Sequence, residues 1–166
     1  PPPPGTMTPL PPAPAPFLSV VTVVRNAADV VGDCLDSVAR QVGPCEHVVV
    51  DGASTDGTTE LLRAHAARQR AAGRRVVVIS EPDRGLYDAM NKGIATATGE
   101  VVGLLNADDV YRDDRVAGRV AAAMADPAVD AAYGDLEYVR LSPGAGMDGA
   151  PVTRRWRAGG YRPGAF

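Results

Sequence analysis

Long apolar runs are missing from this 166-residue chain. No stretch of about 18 apolar residues is there to span a bilayer. No basic segment leads into an apolar one at the N-terminus, so no signal peptide is expected. Cysteine is scarce: Cys34 and Cys45 are the only two, without the spacing of a disulfide framework or a zinc site. Cys34 falls on an apolar helical stripe and reads as a small core residue. A reducing compartment is the simpler setting, and a cytoplasmic location is the expectation. Histidine is as sparse. His47 and His65 stand apart from any carboxylate or cysteine cluster, so neither is expected to be a base, and no Ser-His-Asp arrangement assembles. A Gly-rich phosphate loop carrying Lys and Ser/Thr is absent too. Excess positive charge is also wanting. The formal net charge is −3, so bulk charge does not favour nucleic acid, and no nucleic-acid partner is expected. Arg154, Arg155 and Arg157 form the one basic cluster and read as a solvated run.

Proline is plentiful but confined. Nine of the 15 prolines lie in residues 1–16. Proline removes backbone donors and favours an extended chain, so this segment is expected to be a disordered tail. Residues 17–166 then alternate between two periodicities. Leu18–Val24 is rich in β-branched residues and predicts a strand. Val30, Val31, Cys34, Leu35, Val38 and Val42 recur at helical spacing and predict a helix over Ala27–Gln41. His47–Val50 predicts a short buried strand. Thr58–Ala72 predicts a helix with Leu61 and Leu62 inward, ended by Gly73. Arg75–Ser80 predicts a strand. Tyr87, Met90, Ile94 and Ala97 form the apolar stripe of the next predicted helix. Strands over Glu100–Leu105, Ala131–Tyr133 and Leu136–Leu141, and a helix over Asp113–Ala125, complete the alternation. Ser142–Pro151 reads as a loop and Val152–Trp156 as a further candidate strand. The pattern predicts an α/β fold: a mostly parallel sheet covered by helices on both faces.

The chemistry gathers where strands end. The apolar run Val101-Val102-Gly103-Leu104-Leu105 stops at Asn106-Ala107-Asp108-Asp109, and Val48-Val49-Val50 stops at Asp51. In an open α/β sheet, ligands bind at the carboxyl edge, so these acids are expected in one cleft. Adjacent carboxylates repel unless a cation lies between them, and oxygen ligands of this kind suit Mg²⁺ or Mn²⁺ carrying phosphates. Asp51 sits on the strand end and not beside the following helix, so it reads as a ligand contact. Ser54, Asp56 and Thr58 read as turn and cap residues. Asp83 and Arg84 follow the third strand at the same edge. Asp88, Asn91 and Lys92 share the polar side of the next helix. Asn91 stands at mid-helix, where Asn has no propensity advantage.

Laid out in order, these segments resemble the family 2 glycosyltransferases, whose nucleotide-diphospho-sugar transferase fold is known as GT-A, a Rossmann-like sheet. The matching pieces are Ser19–Asn26, Asp36–Gln41, Glu46–Thr58, Asp83–Ile94, Ala97–Glu100 and Leu105–Asp109. The resemblance implies a donor-binding domain over 17–166. Asp51 would be the acid that contacts the base. Val24, Arg25 and Asn26 would line the nucleoside. Asp83 and Arg84 would flank base and diphosphate, with Asn91 beside them. Asn106-Ala107-Asp108 resembles the DxD motif, whose last Asp, here Asp108, would bind the divalent metal. The partners implied are a nucleoside-diphosphate sugar donor and a glycan or lipid-linked acceptor. A role in cell-envelope polysaccharide synthesis, with inversion by direct displacement and peripheral contact at the inner face of a membrane, would follow. Two departures stand out. The family's first-loop Pro-Thr-Tyr-Asn reads Val23-Val24-Arg25-Asn26, and the first Asp of DxD is Asn106. The family's general base lies well downstream of DxD, so it is expected beyond Phe166 and the acceptor half is expected to be missing. Two other readings stay open: a non-catalytic nucleotide-binding remnant, and a nucleotidyltransferase sharing the sheet and the metal acids.

Overall fold

The computed structural model describes residues 16–140 and 150–159. The expected tail over 1–16 lies outside them except for Pro16, which is buried at the start of the fold. The loop expected over Ser142–Pro151 also falls mostly outside.

Four parallel strands form the centre: β1 (Leu18–Val24), β2 (Cys45–Asp51), β3 (Arg75–Ser80) and β4 (Val101–Leu104), in spatial order β3-β2-β1-β4. β1 pairs with β2 from Leu18 opposite Cys45 to Val24 opposite Asp51. Every residue of β1 is buried, as are Val48, Val49 and Val50 of β2. A strand buried on both faces needs no polar alternation, which is why these segments read as continuous valine runs. Each fully buried Val contributes about 1.5–3 kcal/mol of burial free energy.

The helices divide between the two faces. α1 (Val31–Ala39) and α2 (Thr58–Ala71) pack Val31, Leu35 and Leu62 on Val24 and Val49. α4 (Val116–Met124) lies on the same face, where Ala117 and Val38 meet Leu18 and Val20. α3 (Leu86–Thr96) covers the other face, with Ala89 on Val21, Val23, Val48 and Val50. A separate antiparallel pair, β5 (Leu136–Val139) and β6 (Val152–Trp156), follows.

The α/β architecture and the strand-helix alternation agree with the sequence reading, and several details correct it. The helix expected over Ala27–Gln41 begins only at Val31. Ala27–Val30 is a turn closed by N–H groups of Val30 and Val31 donating to the Ala27 carbonyl at 3.1 and 3.0 Å. Val42 is exposed beyond the helix end. In α2, Leu62 is fully buried while Leu61 is 45% exposed, because neighbours on a helix cannot share a face. Of the stripe expected on α3, Met90 packs against the core cluster on the sheet, but Tyr87 and Ile94 do not. Tyr87 is 79% exposed and Ile94 is also exposed, while Ala89 and Gly93 face the sheet. The helix lies so close that a Cβ at Gly93 would stand 2.3 Å from Val21 Cγ1, so only small residues fit there. α4 starts at Val116, not Asp113, because the Asp113 carboxylate is spent on the Arg115 N–H and on Arg119. Ala131–Tyr133 forms no strand.

Candidate active site

All four strands run parallel, so the loops that follow them emerge at one edge. The first loop is Arg25–Val30, the second Gly52–Gly57, the third Glu81–Gly85, and the fourth begins at Leu105. Asp51, Asp83 and Asp108 therefore sit at the same edge, as the cleft argument requires.

The first two loops are tied together by their polar side chains. The Asn26 N–H donates to Ser54 Oγ at 2.8 Å, and the Ala27 N–H to Thr58 Oγ1 at 3.0 Å. The Ala28 N–H donates to Asp56 Oδ2 at 3.0 Å. In return, the Thr55 N–H donates to Asn26 Oδ1 at 2.8 Å. Ser54, Asp56 and Thr58 thus do more than cap a helix: they lock one ligand loop to the next. Two non-glycine residues here, Asn26 and Ala53, hold φ of 50° and 57°. Asn tolerates this left-handed conformation, whereas Ala does so at a cost of the order of 1–3 kcal/mol.

Asp51 differs from its expected role. It is wholly buried, and both carboxylate oxygens are taken. Oδ1 accepts the Ser54 N–H at 3.1 Å and the Ser54 hydroxyl; Oδ2 accepts the hydroxyls of Thr59 and Ser80, each at 2.7 Å. Burial by itself would raise its pKa, but these donors outweigh it and hold the carboxyl below the ordinary aspartate value. Asp51 organises the loop and presents nothing to solvent. Sequence reasoning missed Thr59 and Ser80 because they come from α2 and β3.

The third loop is held from α3. Asp88 accepts the Arg84 N–H at 3.1 Å and its guanidinium at 2.9 Å. Lys92 donates to the Pro82 carbonyl and pairs with Glu81, both at 2.8 Å. Asn91 is exposed and its side chain makes no hydrogen bond among the described residues, so the resemblance alone places it in the site.

Two expected contacts turn inward. Val24 and Ala107 are buried in one core cluster with Val31 and Leu35. Their side chains support the site and do not line it; the Val24 carbonyl instead accepts the Gly52 N–H at 2.9 Å. Anchoring Ala107 beside Val24 brings the fourth loop against the first and leaves Asn106 and Asp108 exposed on either side. Asn106 Nδ2 donates to Asp109 Oδ2 at 3.2 Å, and the Asp109 N–H to the Asn106 carbonyl at 3.0 Å. Burial, then the neighbouring Asp108 charge, pushes the Asp109 carboxyl above its usual range. Asp108 has no hydrogen-bond or ion-pair partner among the described residues, so its carboxylate is free for a cation.

Residues 19–156 match the family described as glycosyl transferase family 2. The chain belongs to glycosyl transferase family 2. It is 42% identical over 125 residues to a PGL/p-HBAD biosynthesis glycosyltransferase of Mycobacterium bovis BCG, covering 74% of this chain and 47% of that protein. The putatively named teichuronic acid biosynthesis glycosyltransferase TuaG of Bacillus subtilis is 35% identical over 102 residues, 61% of this chain and 39% of its own length. The chain thus spans about half, or less, of the length of the curated relatives it matches. Among solved structures, the mannosyltransferase PcManGT of Pyrobaculum calidifontis, in complex with GDP-Man and Mn²⁺, aligns with a TM-score of 0.63 and 30% identity over 78% of this chain and 37% of that one. Staphylococcus aureus TarS in complex with UDP-GlcNAc aligns with a TM-score of 0.56 and 25% identity over 66% of this chain and 31% of its own. The family 2 chain therefore has the GT-A fold, and the nucleotidyltransferase reading falls away.

Proposed function

We propose that this chain is the donor-binding part of a glycosyltransferase that moves a sugar from a nucleoside diphosphate to a glycan or lipid-linked acceptor in cell-envelope synthesis. One observation carries the reading. Two interlocked loops and a third held from α3 form a shelf at the carboxyl edge of a parallel sheet, and beside it stands an exposed Asp108 whose carboxylate has no partner among the described residues. The names of the relatives, in PGL/p-HBAD and teichuronic acid biosynthesis, support the acceptor class. No helix among the described residues is long and apolar enough to cross a membrane; contact with the inner face of a membrane is part of the proposal.

The donor set fits a hard divalent cation. Mg²⁺ and Mn²⁺ bind through one or two carboxylates and leave positions for phosphate oxygens and water. Among the described residues no three acidic, cysteine or histidine side chains converge into an all-protein cage. Asp108 would hold the cation, and Asn106 would steady the loop through Asp109. When bound, Mg²⁺ or Mn²⁺ neutralises the leaving diphosphate. The protein's own share is positional: Asp88 and Lys92 hold the third loop, Asp51 the second, and Arg84 adds positive charge at the rim. No residue of this chain is assigned the role of general base.

Calorimetric titration with UDP and GDP, with and without Mn²⁺, tests the proposal. Asp108→Ala should weaken metal-dependent binding at least tenfold, and Asn106→Ala by less. Equal and small losses for both would place the site elsewhere. Sugar transfer by the purified chain would separate an enzyme from a non-catalytic nucleotide-binding unit.

A further inference from the structure

Asp108 is the exposed acid of a loop that is pinned on both sides. Before it, the buried Ala107 packs beside Val24. After it, the backbone is held by two polar side chains, Ser37 on α1 and Gln41 just past its end, each only 1% exposed. Ser37 Oγ donates to the Cys34 carbonyl of its own helix at 2.8 Å and accepts the Tyr111 N–H at 3.1 Å. Gln41 Nε2 donates to the Ser37 carbonyl at 3.0 Å and to the Asp113 carbonyl at 2.7 Å. Its Oε1 accepts the Ala117 N–H at 2.9 Å. The first turn of a helix leaves N–H groups without partners. Arg115, the residue at the start of α4, makes no side-chain cap, so Gln41 supplies the acceptor from another element. The Val42 N–H adds a bond to the Asp114 carbonyl at 2.9 Å.

We propose that Ser37 and Gln41 are positioning residues of the donor site: they fix the chain from Tyr111 to Ala117 and thereby set where the Asp108 carboxylate meets a divalent cation. The inference rests on the donor-site reading above. The physical case is one of rigidity. α1 is anchored on the sheet through Val31, Leu35 and Val38, so it cannot follow a wandering loop. A buried hydroxyl or amide is costly to leave unpaired. Both side chains therefore hold the loop in the one register that satisfies them. Buried as they are, neither reaches a ligand; each acts through the backbone it grips. Small hard cations take oxygen ligands over a narrow range of distance and angle. Groups that orient a ligand from outside the coordination sphere therefore tune how tightly the ion is held.

The experiment is a Mn²⁺ titration of nucleotide binding by the whole chain, with UDP and GDP as probes. Calorimetry reads the Mn²⁺ concentration that half-saturates binding. Ser37→Ala removes one hydroxyl; Gln41→Met keeps the volume of the side chain but none of its hydrogen bonds. Each should raise that concentration about fivefold or more. Gly99→Ala, at the opposite edge of the sheet, controls for lost stability. It should melt below the wild type and keep half-saturation within about twofold of it. Ser37→Ala is the gentler change and decides the matter if Gln41→Met does not fold. Half-saturation unchanged in Ser37→Ala, or raised equally by Gly99→Ala, overturns the inference; loss of the Mn²⁺ response in Asp108→Ala would then leave the donor-site reading standing. A wild type that binds neither nucleotide, or an Asp108→Ala variant with the wild-type Mn²⁺ response, overturns both.

Discussion

The thiol of Cys34, on α1, donates to the carbonyl oxygen of Asn106 at 3.4 Å, and so ties a core helix to the fourth loop. Behind it, Thr22 Oγ1 lies 3.9 Å from the same sulfur, and His47 Nε2 is 3.0 Å from Thr22 Oγ1. A buried polar chain thus runs from β2 through β1 and α1 to the loop at the sheet edge. Burial, the dominant influence, pushes the Cys34 thiol up to about 12, so it remains a protonated donor. Cys34→Ala should cost about 1–2 kcal/mol from the lost bond and small void. It should also weaken Mn²⁺-dependent nucleotide binding several-fold. Denaturant melts and calorimetry check the two effects, and unchanged metal dependence would confine Cys34 to packing.

Both cysteines should be unreactive in the native state. Burial raises Cys45 to about 11 as well as Cys34 to about 12, and the thiolate is the nucleophile. Brief iodoacetamide treatment at pH 7.5, read by mass spectrometry, should leave native protein unmodified and label both thiols in denaturant.

Asp51→Ala should destabilise the fold by about 2–4 kcal/mol, since it deprives a buried set of donors of their common acceptor. Asp83→Ala should cost under about 1 kcal/mol, because its loop is largely exposed and its carboxylate accepts one hydrogen bond, from the Gly85 N–H. Chemical denaturation should rank them in that order; equal losses would contradict the division between an organising acid and a ligand-facing one.

Gly99 is fixed from the opposite edge of the sheet. A Cβ there would stand 2.7 Å from Ser19 Oγ, 2.8 Å from Ser19 N and 3.0 Å from the Phe17 carbonyl oxygen. Backbone atoms cannot yield as a side-chain end can. The change would also disturb the Gly99 N–H bond to Ser19 and, behind it, the buried Glu46 that accepts from Ser19 at 2.6 Å. Gly99→Ala should lower stability by about 1–3 kcal/mol, while Gly118→Ala, which meets nothing within 4 Å, should be neutral or mildly stabilising.

His47 makes stability depend on pH. It is buried, and its Nδ1 has no partner among the described residues. Burial, then the charge of His65, lowers its pKa from 6.5 to about 3. The folded state therefore binds fewer protons than the unfolded chain below pH 6.5. The stability contribution is full above 6.5 and is lost as pH falls from 6.5 toward 3, with a slope approaching about 1.4 kcal/mol per pH unit. His65, also lowered chiefly by burial, acts in the same direction. Asp51 and Glu46, both held low, lose their contributions only from about pH 4.5 downward. Urea melts should show stability declining between pH 6.5 and 5, with a shallower decline for His47→Gln. Flat stability over that interval would refute the burial argument.

Much of the framework was legible from the chain alone. Valine runs can be satisfied only by strands buried on both faces, and their alternation with helical spacing leaves a parallel sheet as the economical arrangement. Parallel strands place every following loop at one edge, so acids at strand ends could be assigned to one edge before any contact was known. Periodicity faltered where packing overrode it. α3 shows its bulky residues to solvent because Gly93 and Ala89 let it lie close on β1 and β2. Tertiary structure alone decided which carboxylate is free. Asp51 and Asp83 look alike in sequence, each an acid at or soon after the end of an apolar strand. Their difference lies in hydroxyls from Thr59 and Ser80 that close over Asp51, and in the absent side chain of Gly52 that receives Asp83. A hydrogen bond is filled by whatever the fold brings near, and residues 29 positions apart become neighbours only when the sheet forms.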